Sequence, residues 1–401
     1  MTTRAEPSPG TLPAGWPTPD DSAAAHSERL CKTLADALAE NGNWMSFRDW
    51  MEHVLYSPGL GYYSAGATRF GAAGDFVTAP EVSPLFGRTL ARQCGDSLAA
   101  CAGDTILELG PGRGMLARDI LRAMQQDETL PARYLMLDRS GTLREEQAQT
   151  LSVLPDEVRA RVQWLDRLPD SPINGLILAN EVLDALPVER FRREASGVQQ
   201  LGVRRAGDSF GEACRAAPAR LAAQVEQLED DLGRRLEPGY VSELCPDLRP
   251  WISALSTSLQ RGLMLFIDYG YTRSAYYHPE RRMGTLRCHY RHRAHDDWLL
   301  LPGLQDLTAS VDFTAVALAA DAAGLDVLGY APQSHFLMAS GLTELLACRP
   351  PSSSSQVALT QQAKALMLPS EMGERFQALA LGRNFPAPVP GFQLYNHLKK
   401  L

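Results

Sequence analysis

Thr105-Ile106-Leu107-Glu108-Leu109-Gly110-Pro111-Gly112-Arg113-Gly114 is the stretch on which the reading of this chain turns. Its first five residues, apolar but for Glu108, predict a buried strand; the glycines predict a turn, and Met115–Met124 the helix that follows. A backbone without side chains lets a ligand approach closely. Dinucleotide sites favour G-x-G-x-x-G, with a pyrophosphate on the helix N-terminus. Here the glycines run G-x-G-x-G, with an acid two positions before the first. That spacing suits an adenosine group ending in an amino acid, which is S-adenosylmethionine. An ordinary strand-to-helix turn is the plainer alternative, and the later segments decide between them.

The 401 residues suffice for one large domain with additions. A formal charge of −8 argues against a general nucleic-acid binder, which would present a basic face. The seven cysteines are odd in number and form no C-x-x-C pair, so neither a disulfide framework nor a zinc site is expected. His278, His289, His292 and His295 lack the acid or cysteine spacing of a metal site, and no metal is expected. No apolar run is long enough to cross a bilayer. Residues 1–27 have no long apolar centre and Arg4 as their one basic residue, so they read as a disordered tail. The expected compartment is the cytoplasm.

Residues 28–100 are expected to form an N-terminal cover. Helices are predicted over Glu28–Asn41 and Met45–Leu55, the second capped by Ser46. A long irregular run follows, rich in glycine, proline and aromatics, through Gly74-Asp75-Phe76 and Thr78-Ala79-Pro80-Glu81. It is expected to fold over the mouth of the site. Residues 101–190 are the first part of an α/β core. The strand Tyr134–Leu137 ends on Asp138, where a carboxylate can accept both ribose hydroxyls. Val162–Leu165 ends on Asp166, a partner for the adenine amino group or an ordinary loop acid. Gly175–Ala179 delivers Asn180, Glu181 and Asp184 to a strand end, where parallel sheets place their chemistry. Residues 191–260 read as a polar insertion shaping acceptor access, and 261–345 as the second part of the core, with strand Leu263–Ile267 leading into Asp268-Tyr269-Gly270. Val327–Tyr330 and His335–Ala339 are expected as an antiparallel edge, and residues 346–401 as a linker and a helical tail.

With these segments in place, the chain resembles the MidA-like family of class I S-adenosylmethionine-dependent methyltransferases from about Trp44 to Leu342. The likeness rests on Gly74–Glu81, Leu107–Gly114, A-N-E-V-L-D-A-L-P (Ala179–Pro187), Ile267–Gly270, G-T-L-R (Gly284–Arg287) and Gln305–Phe313. Where the family has a glutamate followed by Ser-Pro, this chain has Asp138-Arg139-Ser140. The resemblance implies a doubly wound seven-stranded sheet with S-adenosylmethionine along its C-terminal strand ends. Gly110, Gly112 and Gly114 would admit the cofactor; Glu108 would hold the turn or the methionine amino group; Asp138 and Asp166 would take ribose and adenine; and Gly74 and Asp75 would add to cofactor binding. Mitochondrial members are protein arginine methyltransferases that assist assembly of respiratory complex I. By that likeness Asn180, Glu181 and Asp184 would orient an acceptor guanidinium, with Glu81, Tyr269 and Arg287 around the acceptor. A protein acceptor is the expected partner, and a homodimer is allowed. Two rivals stay open: a small-molecule methyltransferase, and a non-catalytic assembly chaperone on the same fold. The acceptor and its degree of methylation are not written in the sequence.

Overall fold

The computed structural model describes residues 12–64, 78–138, 141–347, 354–386 and 388–401. The chain divides into two compact units. One comprises the described residues of Met1–Phe76 with Ala185–Asp247 and Ser274–Ala309; the other comprises Val77–Asp184, Leu248–Arg273 and Ser310–Leu401.

The second unit is built on a sheet of β1 (Thr105–Leu109), β2 (Arg133–Leu137), β3 (Val162–Leu165), β4 (Ile173–Asn180), β5 (Leu259–Tyr271), β6 (Asp326–Pro332) and β7 (Phe376–Arg383). Their order is β3-β2-β1-β4-β5-β7-β6, and a short strand, Val311–Asp312, pairs with the end of β5. All neighbours are parallel except β7, which runs against both β5 and β6. Strands of such a sheet are buried on both faces, which is why β1 is buried at every position and Leu263–Ile267 of β5 is an unbroken apolar run rather than an alternating one. Leu263, Leu265 and Ile267 of β5 join the core beneath the helices Pro84–Cys101 and Met115–Gln126. Phe266, one position out of phase, meets Trp251 of the helix Leu248–Thr257 instead. Helices therefore cover both faces, as a doubly wound sheet requires.

The first unit contains an antiparallel sheet of Met45–Ser46, Gly197–Ala206, Glu189–Glu194 and Tyr240–Leu244, with Ser209–Ala216 paired to Gly197–Ala206. A three-stranded sheet of Arg293–His295, Arg287–Tyr290 and Asp306–Thr308 accompanies it. Its core gathers Leu30, Leu34, Phe47, Trp50, Leu55 and Trp298.

Several sequence expectations need correction. The first helix spans Asp21–Glu40, capped by the Asp20 carboxylate on Ala23 N–H at 2.8 Å, so 21–27 are not tail. The expected 28–100 cover is split: Pro84–Cys101 buries its apolar face on the sheet, and the second unit begins at Val77. The 191–260 insertion holds two successive hairpins, from Glu189–Glu194 through Gly197–Ala206 to Ser209–Ala216, then a helix, Ala219–Leu232. Tyr240–Leu244 returns to pair with Glu189–Glu194, a long-range ladder invisible to local periodicity. His335–Ala339 lies in the helix Gln333–Ala339. The tail of 346–401 contributes a helix, Ser354–Met367, and then β7, a strand buried on both faces.

Candidate active site

At the end of β1 the chain reverses on Gly110, Gly112 and Gly114, with φ of +60°, +50° and +79°. Only glycine holds three such values at low cost. The backbone N–H of Gly110 donates to Leu137 O of β2 at 3.0 Å, and that of Gly114 donates to Pro111 O at 2.8 Å. Among the described residues, a Cβ on Gly112 would meet no neighbouring atom within 4 Å, so the middle of the turn has room beside it. A Cβ on Gly110 would stand 3.0 Å from Val182, which follows β4. Glu108 lies beneath this turn, buried, and accepts the Tyr134 hydroxyl at 2.9 Å. Burial, with some repulsion from Asp138, pushes its carboxyl up to about 7.

Asp138 follows β2 directly, and its Oδ2 accepts a hydrogen bond from Gln147 Nε2 at 3.0 Å. Gln147 is fully buried on the helix Gly141–Leu151 and was not singled out by the sequence. Nothing local in Q-A-Q distinguishes it from a surface glutamine. Asp166 is exposed and ion-paired with Arg144, so a hold on adenine would require that pair to open.

The end of β4 brings two of the quoted motifs together. Glu181 Oε1 accepts Ala79 N–H at 3.2 Å and the Asn180 amide at 3.0 Å, joining the Thr78–Glu81 box to the Asn180–Asp184 box. Glu181 has φ +54°, a conformation a glutamate adopts at a cost of about 1–3 kcal/mol. Its N–H donates to Ile267 O of β5 at 2.9 Å. Asp268 is next on β5, within the Ile267–Gly270 motif, and the sequence alone assigns it no role. Its Oδ2 accepts the N–H groups of Val182, Leu183 and Asp184 at 3.1, 2.9 and 3.3 Å, and its Oδ1 that of Tyr269 at 2.9 Å. This one carboxylate fixes the turn that presents Asp184.

Half-buried Glu181 joins the buried Asp184 and Asp268 in one acidic group. Burial first, then Asp184 and Glu81, pushes Glu181 up to about 8. Burial first, then Asp184 and Glu181, raises Asp268 well above the carboxylate range. Among the described residues no cationic side chain pairs with Glu181 or Asp268, and Asn180 Oδ1 is buried without a hydrogen-bond donor. Such a group is built to receive positive charge and N–H donors from outside.

The other expected positions are less uniform. Glu81 closes a capping box, its Oε2 accepting Thr78 N–H at 3.5 Å. Tyr269 is half-buried against Phe376 of β7. Arg287 belongs to the first unit, where it is exposed and ion-paired with Asp296. Gly74 and Asp75 lie outside the described residues.

A seven-stranded sheet with only β7 reversed, a glycine turn after β1 and acids at the ends of β2 and β4 define a class I methyltransferase. The chain belongs to the MidA-like family of S-adenosyl-L-methionine-dependent methyltransferases, whose family model matches residues 89–331. It is similar to the crystal structure of a Burkholderia thailandensis protein bound to S-adenosyl-homocysteine, with 39% identity, TM-score 0.92, and 96% of this chain and 100% of that one covered. It is 30% identical to protein arginine methyltransferase NDUFAF7, mitochondrial, of Danio rerio, over 90% of this chain and 89% of the relative. The Rattus norvegicus protein of that name is 32% identical, over 83% and 80%. These relatives are mitochondrial by name, and the comparisons lend the expected cytoplasmic location no support. No helix among the described residues is long and apolar enough to cross a membrane.

The residues present suit S-adenosylmethionine: room at Gly112, a carboxylate after β2 for a diol, and the buried Glu108 carboxyl beneath the turn for an ammonium.

Proposed function

We propose that this methyltransferase acts on arginine side chains of a protein partner, a respiratory-complex subunit being the kind of partner its family suggests. The observation that carries the reading is the acidic group: Glu181 and Asp268 have no cationic partner among the described residues. A guanidinium is always protonated and offers planar donors that match paired carboxylates. S-adenosylmethionine supplies an already activated methyl group, so the protein's task is to orient the acceptor and exclude water. Glu181 and Asp184 bind the guanidinium, and Asn180 Oδ1 accepts one further N–H. The arriving positive charge returns Glu181 to its ionised form. Its carboxylate would then take the proton that the acceptor nitrogen loses as the N–CH₃ bond forms and the S–CH₃ bond breaks, leaving S-adenosylhomocysteine. The names of the relatives point the same way.

The test is incubation with methyl-labelled S-adenosylmethionine and a fractionated protein extract, followed by location of the label. Label on an arginine of a protein supports the reading, and label confined to small molecules overturns it.

A further inference from the structure

Gln147 touches three separate elements through one amide. Its Nε2 donates to Gly112 O at 2.8 Å in the glycine turn and to Asp138 Oδ2 at 3.0 Å after β2, and its Oε1 accepts Trp164 Nε1 at 2.9 Å on β3. An indole N–H can only donate, so it forces the glutamine oxygen toward itself and the NH₂ toward the other two. Both amide hydrogens then have acceptors, and the amide cannot turn over without breaking all three bonds. The side chain is buried, so no water competes for the contacts. The helix that carries it is tight against the turn: a Cβ on Gly114 would come within 3.4 Å of Gln147 Cα.

We propose that Gln147 is a positioning residue for the nucleoside, holding Asp138 at the angle that accepts both ribose hydroxyls and locking that carboxylate to the turn that receives the cofactor's amino-acid end. The inference rests on the reading of Asp138 as the ribose acid. Trp164 sets the orientation of the glutamine, so the indole acts on the ribose site from one residue further away. Gln147→Met keeps the length and removes the donors. Gln147→Glu places a carboxylate against Asp138 and the Gly112 carbonyl, and binds more weakly still.

Calorimetric titration with S-adenosylhomocysteine and with its 2′-deoxy and 3′-deoxy analogues reads the effect without turnover. The wild-type protein favours the full ribose by about tenfold or more, the worth of a hydrogen bond to a charged group. Gln147→Met lowers affinity for S-adenosylhomocysteine by about tenfold and reduces that preference toward unity, as Asp138→Ala also does. Trp164→Phe, which leaves the glutamine in place, moves both quantities the same way by less and guards against a folding defect in the first variant. A merely structural role would weaken all three ligands equally and leave the preference intact; that result, in both variants, overturns the proposal. If the wild-type protein does not distinguish the analogues at all, the ribose reading of Asp138 falls and takes the proposal with it.

Discussion

Glu181 combines a left-handed backbone with a carboxyl buried beside other carboxyls, two costs at one position. Both are local penalties of the kind that persist where the surroundings over-determine them. The consequence for pH is direct. Unfolded, Glu181 releases its proton near 4.5; folded and without acceptor it holds it to about 8. The folded state therefore binds more protons across that window, and the stability associated with protonated Glu181 is complete below about 4.5 and lost as pH rises through about 8. Glu181→Gln removes this dependence. Its unfolding midpoint is expected to exceed that of the wild-type protein increasingly from pH 6 to pH 8.5 in thermal melts; a constant difference would refute the assignment. The same substitution is expected to lower methyl transfer to an arginine peptide by about a hundredfold or more, with S-adenosylhomocysteine affinity changed much less. Asp268→Asn acts one step back. It replaces one of two accepting oxygens by an NH₂ that cannot accept a backbone N–H, so the turn carrying Asp184 loosens and transfer falls while the far side of the site, read by ribose preference, is untouched.

The strands meet at their starting ends through glycine. Gly175 of β4 pairs with Thr105 of β1 on one side and Gly262 of β5 on the other. A Cβ on Gly175 would lie 1.9 Å from Thr105 O, and one on Gly262 would lie 1.8 Å from Gly175 O; both glycines have positive φ, +151° and +142°. Gly175→Ala forces the β1–β4 ladder apart and is expected to cost about 3 kcal/mol or more by chemical denaturation, although the position is remote from the acids. These elements also show what local pattern can and cannot deliver. β1, β4 and β5 were legible because a strand covered on both faces is a short unbroken apolar run. β7 has the same character in F-Q-A-L-A-L-G-R, yet its alanines and leucines fit a helix equally well. Its pairing with β5 and β6, both well before it in the chain, is what selects the extended form.

Across the molecule, the chain passes repeatedly between the two units, each assembled from three separated segments. Removal of the C-terminal segment reaches into a core, since Phe376, Ala378, Ala380 and Phe392 belong to it. Deleting everything after Met367 strips β7 from between β5 and β6, and the shortened chain is expected to be insoluble or to lose cooperative unfolding by circular dichroism. A dispensable tail would leave the melt unchanged. Ligand binding runs the other way: S-adenosylhomocysteine at a hundred times its Kd is expected to add about 2.7 kcal/mol to stability, read as a concentration-dependent rise in the melting midpoint.

By itself the sequence determined the fold class and the cofactor, because a glycine turn, a run of buried strands and the family's boxes are all written in consecutive residues. The tertiary structure alone decided that Glu181 meets Ala79, that Asp268 holds the Asp184 turn, and that Gln147 ties Asp138 to Gly112 and Trp164. Each joins residues from different elements, and hydrogen bonds and burial of that kind depend on which strands the sheet sets side by side, a fact no stretch of neighbouring residues contains.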